Sequence, residues 1–274
     1  MSQSPVNWLN VAKYVIYGLL ALDIVFFLRG DLATSAGLLS GASDWTRVIT
    51  VFSETLDTVA WVTLVLLFEL ETAVISVNRL RGNLQWLFSG VRVLCYVTII
   101  SSLFGYLAMW QTLTNPELLL AINPCTLIGQ GYFYFAGFDL YPALTGENCS
   151  NLLDQTLVLI SGTQIIGTLA DLQFAERLAL VDVINAATWL LVVILLEAEV
   201  YLQLHGRFSQ RLRQLTRRML VPLSCVLLGC ALYWLIYSDF LDFWDALLWL
   251  IAFAFIEMNI LDWQLDNNRQ EPPR

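Results

Sequence analysis

The sequence predicts an all-α polytopic membrane protein with six transmembrane helices, arranged as three pseudo-repeated helical hairpins, and a small extracytoplasmic insertion between helices 3 and 4. Of its 274 residues, 58% are hydrophobic and only 14% are charged, which is not the composition of a soluble domain. Several apolar runs reach the roughly 18 residues that a membrane helix requires. One layout of residues also recurs on three of these runs.

Six segments have the length and apolar character of membrane helices. The first is too long for a signal-peptide core and lacks a small-residue cleavage site, so it is interpreted as a helix. Ser43 and Asp44 could cap a helix that runs straight into the second segment. The predicted helices are 9–27, 57–77, 87–110, 180–202, 220–237 and 246–261. The resulting domains are 1–110 (first hairpin and helix 3), 111–179 (insertion) and 180–274 (helices 4–6 and a cytoplasmic tail).

Arginines in the short loops predict the orientation. Arg79 and Arg81 lie between helices 2 and 3, and five arginines lie in 207–218 between helices 4 and 5. Both loops should be cytoplasmic, and with six helices both termini share that side. The protein is expected in a plasma membrane or a bacterial inner membrane. The outward segments are acidic, which either concentrates cations near a site or is simply tolerated in translocated loops.

The predicted insertion is too long for a bare loop and should have structure of its own. Cys125 and Cys149 fall on the outward side, where a disulfide can persist, and are predicted to pair. The stretch 129–141 is rich in aromatic residues and interrupted by glycines, a pattern that predicts strands and turns rather than a helix. The stretch 152–169 suits a β-hairpin or a re-entrant piece, because as a span it would place the arginine-rich loop outside.

The recurring layout reads DTVAWVTLVLLFELE at 57–71, NAATWLLVVILLEAE at 185–199 and DALLWLIAFAFIEMN at 245–259. Each copy has an acid or amide, Trp four residues later, seven mostly apolar residues, Glu, any residue, then Glu or Asn. Parallel repeats occur in transporters, which place their sites at the repeat interface. The copies therefore predict equivalent helices around a common axis.

Carboxylates in the inner half of a bilayer cost several kcal/mol when they face lipid, so the repeated glutamates should face the bundle or a partner. Two residues along a helix turn about 200°, so one glutamate of each pair should face the axis and the other a neighbouring helix. Acidic rings select cations, and buried carboxylates can relay protons. Oxygen ligands favour hard cations, so the candidates are H⁺, Na⁺, Mg²⁺ and Ca²⁺. The predicted cation- or proton-binding residues are Glu69, Glu71, Glu197, Glu199, Glu257 and Asn259.

The outer ends of the same helices carry a second set of repeated residues. Asp57, Asn185 and Asp245 mark a predicted outer entrance. The tryptophans Trp61, Trp189 and Trp249 lie one turn inward. They are interpreted as packing residues or interfacial anchors, which would narrow the path if they faced the axis.

The leading function predicted from the sequence is transport of cations or protons through the repeated glutamates. The alternative is a non-catalytic membrane scaffold or complex subunit, in which Lys13, Arg92 and Arg218 form ion pairs with the glutamates and the insertion binds a protein partner. Lipid or quinone binding between hairpins ranks third.

Composition also narrows the chemistry. The chain has one histidine, His205, and one lysine, Lys13, so histidine-based metal centres and a mid-membrane Schiff base are not predicted. We therefore expect no enzyme activity and no cofactor. We also expect no nucleic-acid partner, because the sequence has no basic stripe. The lipid bilayer is the expected environment.

Overall fold

A computed structural model describes residues 8–39, 45–70, 83–120, 122–137, 140–204, 210–238 and 240–270. This part of the chain is mostly helical. Its helices are α1 (Trp8–Leu38), α2 (Trp45–Val51), α3 (Ser53–Glu69), α4 (Asn83–Thr114), α5 (Gly146–Cys149), α6 (Leu169–Leu204), α7 (Gln210–Tyr237) and α8 (Phe240–Gln270).

Within the described residues, four helices are long and apolar enough to cross a bilayer. They are α1, α4, α6 and α7, and the bent pair α2 and α3 adds a fifth if it counts as one span. These helices have the length and composition of an integral, multi-pass membrane protein.

The six long helices pack side by side in a closed ring. Each contacts the next in the order α1, α3, α4, α6, α7 and α8, and α8 packs back against α1. Tyr17 of α1, Val62 of α3 and Leu248 of α8 share one buried cluster. Cys95 and Cys230 are buried between helices, whereas Cys225 is exposed on α7. The ring leaves α3, α6 and α8 separated from one another by a helix on each side.

The start of α6 corrects the predicted boundary of the fourth span. The helix begins at Leu169 rather than at 180, so the insertion is shorter than 111–179. The hydroxyl of Thr168 accepts the backbone N–H of Asp171 at 3.1 Å and donates to its carboxylate at 2.6 Å, which caps the helix. The first turns carry charged residues that lower hydropathy, but Leu172 is buried against the insertion. Packing on the insertion therefore extends the helix beyond its apolar stretch.

The segment before α3 also differs from the prediction, because no straight helix leads into α3. Ser43 and Asp44 lie outside the described residues. Helices α2 and α3 are inclined to each other by 71°. The backbone of Phe52 between them has φ −103° and ψ 21°, and its side chain packs against the core of the insertion. Burying Phe52 thus turns α2 away from the axis of α3.

Helices α3 and α4 approach closely at Gly105. A Cβ at this position would overlap the Ser53 hydroxyl oxygen and lie 3.2 Å from the Ile49 carbonyl oxygen. The hydroxyl of Ser53 bonds to the carbonyls of Ile49 and Thr50 at 2.8 and 2.9 Å, so it cannot rotate away without losing both contacts. The contact therefore requires glycine.

Gly105→Ala is expected to lower the free energy of unfolding by about 1–3 kcal/mol, because an overpacked contact forces the helices apart. Gly90→Ala is the matched control on the same helix, since a Cβ there meets no atom within 4 Å. The midpoint of thermal unfolding in detergent should fall for the first variant and hold or rise for the second. Equal midpoints would contradict the close approach.

The insertion forms a small four-stranded sheet. Its strands are β1 (Glu117–Leu119), β2 (Phe133–Tyr134), β3 (Leu157–Leu159) and β4 (Ile165–Thr168), in the order β1-β3-β4-β2. Strands β3 and β4 pair antiparallel, which confirms a β-hairpin within 152–169. Strand β2 pairs parallel with β4 and follows a turn, as predicted for 129–141. The predicted disulfide between Cys125 and Cys149 is confirmed.

The sheet and the ends of the helices share one hydrophobic core. Leu38 of α1, Leu113 of α4 and Ala179 of α6 pack with Val158 and Ile165 of the insertion. All five side chains are buried. The insertion therefore rests on the helix ring instead of extending from it on a linker.

Candidate functional site

A cavity of about 160 Å³ lies inside the helix ring. All six long helices contribute to its wall. Phe27 of α1, Tyr106 of α4 and Trp234 of α7 each supply a side chain, and α3, α6 and α8 supply most of the others. The cavity is therefore the place where the six helices face a common space.

Helices α3, α6 and α8 present equivalent residues to this cavity at four successive levels. The spacing between levels is three, four and four residues, which keeps each set on one helix face. From the first to the last level each helix advances about 16 Å. The first level is Glu54, Asp182 and Asp242; the second is Asp57, Asn185 and Asp245; the third is Trp61, Trp189 and Trp249; the fourth is Val65, Val193 and Phe253.

The structure brings together the residues predicted as an outer entrance, namely Asp57, Asn185 and Asp245. The sequence places Glu54 and Asp242 among the acids of the predicted outward segments, but the recurring layout does not include them or Asp182. Each lies three residues before a member of this set, so extending the recurring layout by three residues would have found them. The signal was an acid at the same position of all three copies.

The three repeated tryptophans meet inside the ring. The ring centroids of Trp61 and Trp189 are 6.2 Å apart, those of Trp61 and Trp249 are also 6.2 Å apart, and those of Trp189 and Trp249 are 6.5 Å apart. Because α3, α6 and α8 are not neighbours in the ring, these side chains bridge the space between them. We call this group the tryptophan trio.

Carboxylates orient two rings of the trio. The indole Nε1 of Trp61 donates to Asp57 Oδ1 at 3.1 Å, and that of Trp249 donates to Asp245 Oδ1 at 3.1 Å. Each bond joins residues four apart on one helix. The aspartates therefore hold two of the three rings in place.

The cavity is strongly acidic. Among the described residues that line it, five are Asp or Glu and none is Lys, Arg or His. Asp245 lies within electrostatic range of Asp57, Asp242 and Asp23. Asp23 is only 1% exposed on α1, and its Oδ2 finds no hydrogen-bond partner among the described residues. A low-dielectric wall focuses such a field and attracts positive charge.

The described glutamates of the predicted ring do not line this cavity. Glu69 is 5% exposed and accepts two bonds from Lys13 Nζ, at 2.8 and 3.0 Å, and one from the Tyr14 hydroxyl at 2.8 Å. Glu197 is exposed and accepts a bond from the Tyr96 hydroxyl at 2.6 Å. Both therefore bind a tyrosine of the preceding helix in the ring.

The other predicted site residues are placed as follows. Glu199 is half-buried on α6. Arg92 is half-buried on α4 and Arg218 is exposed on α7. Glu71, and the side chains of Glu257 and Asn259, lie outside the described residues.

No group of three or more His, Cys, Asp or Glu side chains in the described part of the chain is arranged to hold a metal ion. The chain matches no protein-family model, no curated protein and no solved structure. The site is therefore interpreted from its own chemistry.

Proposed function

We propose that this membrane protein transports a cation, or protons, through the acidic cavity inside its helix ring. The observation that carries the proposal is the cavity wall, in which five acids and no base are found among the described residues. Negative charge in a low-dielectric enclosure raises the local concentration of cations. Buried ionisable residues within membrane helices are expensive and typically mark ion pathways.

The proposed architecture is six spans in three hairpins, α1 with α3, α4 with α6 and α7 with α8, related by a pseudo-threefold axis. The four equivalent levels of cavity residues support it, and so does the closed ring of helices. Transporter sites lie at the interface of such repeats. In the proposed orientation both termini are cytoplasmic, and the insertion covers the outer end of the cavity.

In the proposed path, a cation enters from the outer side, passes the acids and meets the tryptophan trio. A smaller cavity of about 30 Å³ shares Glu54, Tyr106 and Asp182 with the main one and continues to Asp31 and Leu38. Leu38 belongs to the core beneath the insertion. These shared residues make the smaller cavity a candidate route from the insertion inward.

The scaffold alternative is favoured by the bonds of the glutamates. Lys13 and Glu69 form a buried ion pair, and Tyr96 binds Glu197 across two helices. Such contacts fix helix positions without any transport. The two functions are compatible, because glutamates that hold the ring together would also preserve the cavity.

Flux measurements on liposomes that contain the purified chain test the proposal. We expect uptake of at least one of H⁺, Na⁺, K⁺, Mg²⁺ and Ca²⁺ above that of empty liposomes, under one or both membrane polarities. The electrochemical gradient drives this uptake, and the acidic cavity selects cations over anions. Absence of flux for every cation, organic ones included, at several pH values would favour the scaffold.

A further inference from the structure

The tryptophan trio crosses the cavity between its second and fourth levels. Asp57 and Asp245 lie on one side of it, and Val65, Val193 and Phe253 lie on the other. The triangle formed by the three ring centroids has sides of 6.2, 6.2 and 6.5 Å. Its centre is therefore about 3.6 Å from each centroid, which is the separation of two carbon atoms in contact. This space cannot admit an ion with its water shell.

The three rings meet in arrangements that aromatic side chains favour. Their planes are inclined to one another at 57°, 62° and 65°, which is close to edge-to-face packing. A contact of this kind changes an equilibrium about two- to tenfold beyond the effect of burial alone. Contacts of that strength stabilise a closed arrangement and still allow one ring to leave it.

Each ring of the trio packs against a different buried cluster between neighbouring helices. Trp249 packs on the cluster of Leu20 in α1, Trp61 on that of Ile99 in α4, and Trp189 on that of Leu227 in α7. These three aliphatic side chains are at most 3% exposed. Among the described residues, apolar packing thus encloses the trio on all sides. A solute that moves along the cavity must therefore pass between the three rings.

The rings differ in how firmly they are held. Trp61 and Trp249 each donate a hydrogen bond to the aspartate four residues earlier. The indole of Trp189 makes no hydrogen bond in the part of the chain that the structure describes. Outside the trio it meets the ring of Phe253, with a centroid separation of 5.8 Å. Trp189 can therefore move without breaking a hydrogen bond, whereas the other two rings cannot.

We infer that the tryptophan trio is a gate across the cavity, closed in this structure, and that it opens when the Trp189 side chain leaves the other two rings. The inference rests on the proposed function, because a gate controls passage only where a path exists. Apolar constrictions stop ions by excluding water. Trp61 and Trp249 stay in place, so one side chain controls the passage.

Initial cation flux into liposomes that contain the full chain tests the gate. Trp189→Ala is expected to raise the flux about tenfold, because it removes both contacts that Trp189 makes within the trio. Val193→Ala is the matched control, since Val193 lines the cavity one turn further along the same helix and lies outside the trio. It should conduct like the parent. A rise of the same size in both variants would overturn the gate, because it would show a general loosening of α6.

A cysteine at the same position allows an aromatic ring to be restored within one preparation. Trp189→Cys should also conduct about tenfold faster than the parent. Benzyl methanethiosulfonate then attaches a phenyl ring to this thiol as a mixed disulfide, with release of methanesulfinate, and should return the flux to within threefold of the parent. The parent treated in the same way controls for the exposed Cys225. Flux that stays high after modification would overturn the inference.

Thermal unfolding in detergent establishes that each variant is folded before its flux is compared. If Trp189→Ala and Trp189→Cys do not fold, Trp189→Leu takes their place, because it keeps more of the apolar volume. It should raise the flux at least threefold, since the aromatic contacts are still lost. Flux equal to that of the parent would overturn the gate.

The outcomes for the gate and for transport are separable. A parent and a folded Trp189→Ala variant that conduct equally would overturn the gate and leave cation transport in place. Absence of flux for every cation, in the parent and in every folded variant, would overturn both proposals. A silent parent beside a conducting Trp189→Ala variant would support the gate and the path together.

Discussion

Asp57→Asn combined with Asp245→Asn is expected to reduce cation flux about 100-fold while leaving the protein folded. The amide oxygen of each asparagine can still accept the indole N–H bonds of Trp61 and Trp249, which are 3.1 Å long in the parent. Asn185 occupies the equivalent position of α6, so an amide fits this level of the cavity. The change therefore removes charge with little change in shape.

The magnitude follows from Coulomb's law when a separation of roughly 12 Å between the charges is taken. At an effective dielectric constant of about 20, a carboxylate roughly 12 Å from a unit positive charge lowers its energy by about 1.4 kcal/mol, a factor of ten in occupancy. Two carboxylates then account for about 100-fold. The measurement is initial flux into liposomes at matched protein content, for whichever cation the parent conducts.

Asp154→Asn is the matched control for this pair. Asp154 is exposed in the insertion and has φ of 60°, a conformation that asparagine adopts readily. Its substitution should leave flux unchanged. If the double cavity variant also conducted like the parent, with the same thermal unfolding, the cavity could not be the path.

Glu69→Gln alone is expected to destabilise the protein by about 3–5 kcal/mol, because it leaves the buried Lys13 ammonium without its counter-charge. Lys13 is 7% exposed, so water cannot solvate it fully. Glu69→Gln with Lys13→Met should be much less destabilising, since neither buried charge then remains. The free energy of unfolding in mixed detergent measures both variants.

The comparison also decides what Glu69 does. A large loss of stability in the single variant, rescued in the double, identifies a structural ion pair. Additive losses would show that Lys13 and Glu69 are not coupled, despite the 2.8 Å separation of Nζ and Oε1. Loss of flux with unchanged stability would instead place Glu69 on the transport path, as the sequence alone suggested.

The parts of the fold that depend on local composition could be predicted from the sequence. Apolar length predicted membrane helices, and the predicted outward position of Cys125 and Cys149 led to the prediction of their disulfide, which is confirmed. The start of α6 could not be found this way, because its first turns are charged and are stabilised by Thr168 and by packing on the insertion. Hydropathy depends on local composition and does not report such tertiary contacts.

The sequence predicts the position of a residue along its helix, but it does not predict how the helix is rotated about its own axis. The recurring layout predicted that Asp57, Trp61 and their counterparts occupy equivalent positions along three helices, and these residues line one cavity. Spacing does not show which way a helix is turned, and two residues along a helix differ by about 200°. The bond between Glu69 and Lys13 therefore had to be observed.

Because the insertion and the helix ends share one core, the insertion cannot be excised from the protein without exposing apolar surface. Val158 and Ile165 are fully buried, partly by Leu38, Leu113 and Ala179 of the membrane helices. An excised insertion would expose that surface to water and lose the hydrophobic contribution of those contacts. It is therefore not an autonomous module. The packing of the sheet is complete only when α1, α4 and α6 are in place, so the burial of its core reports on the correct assembly of these helices.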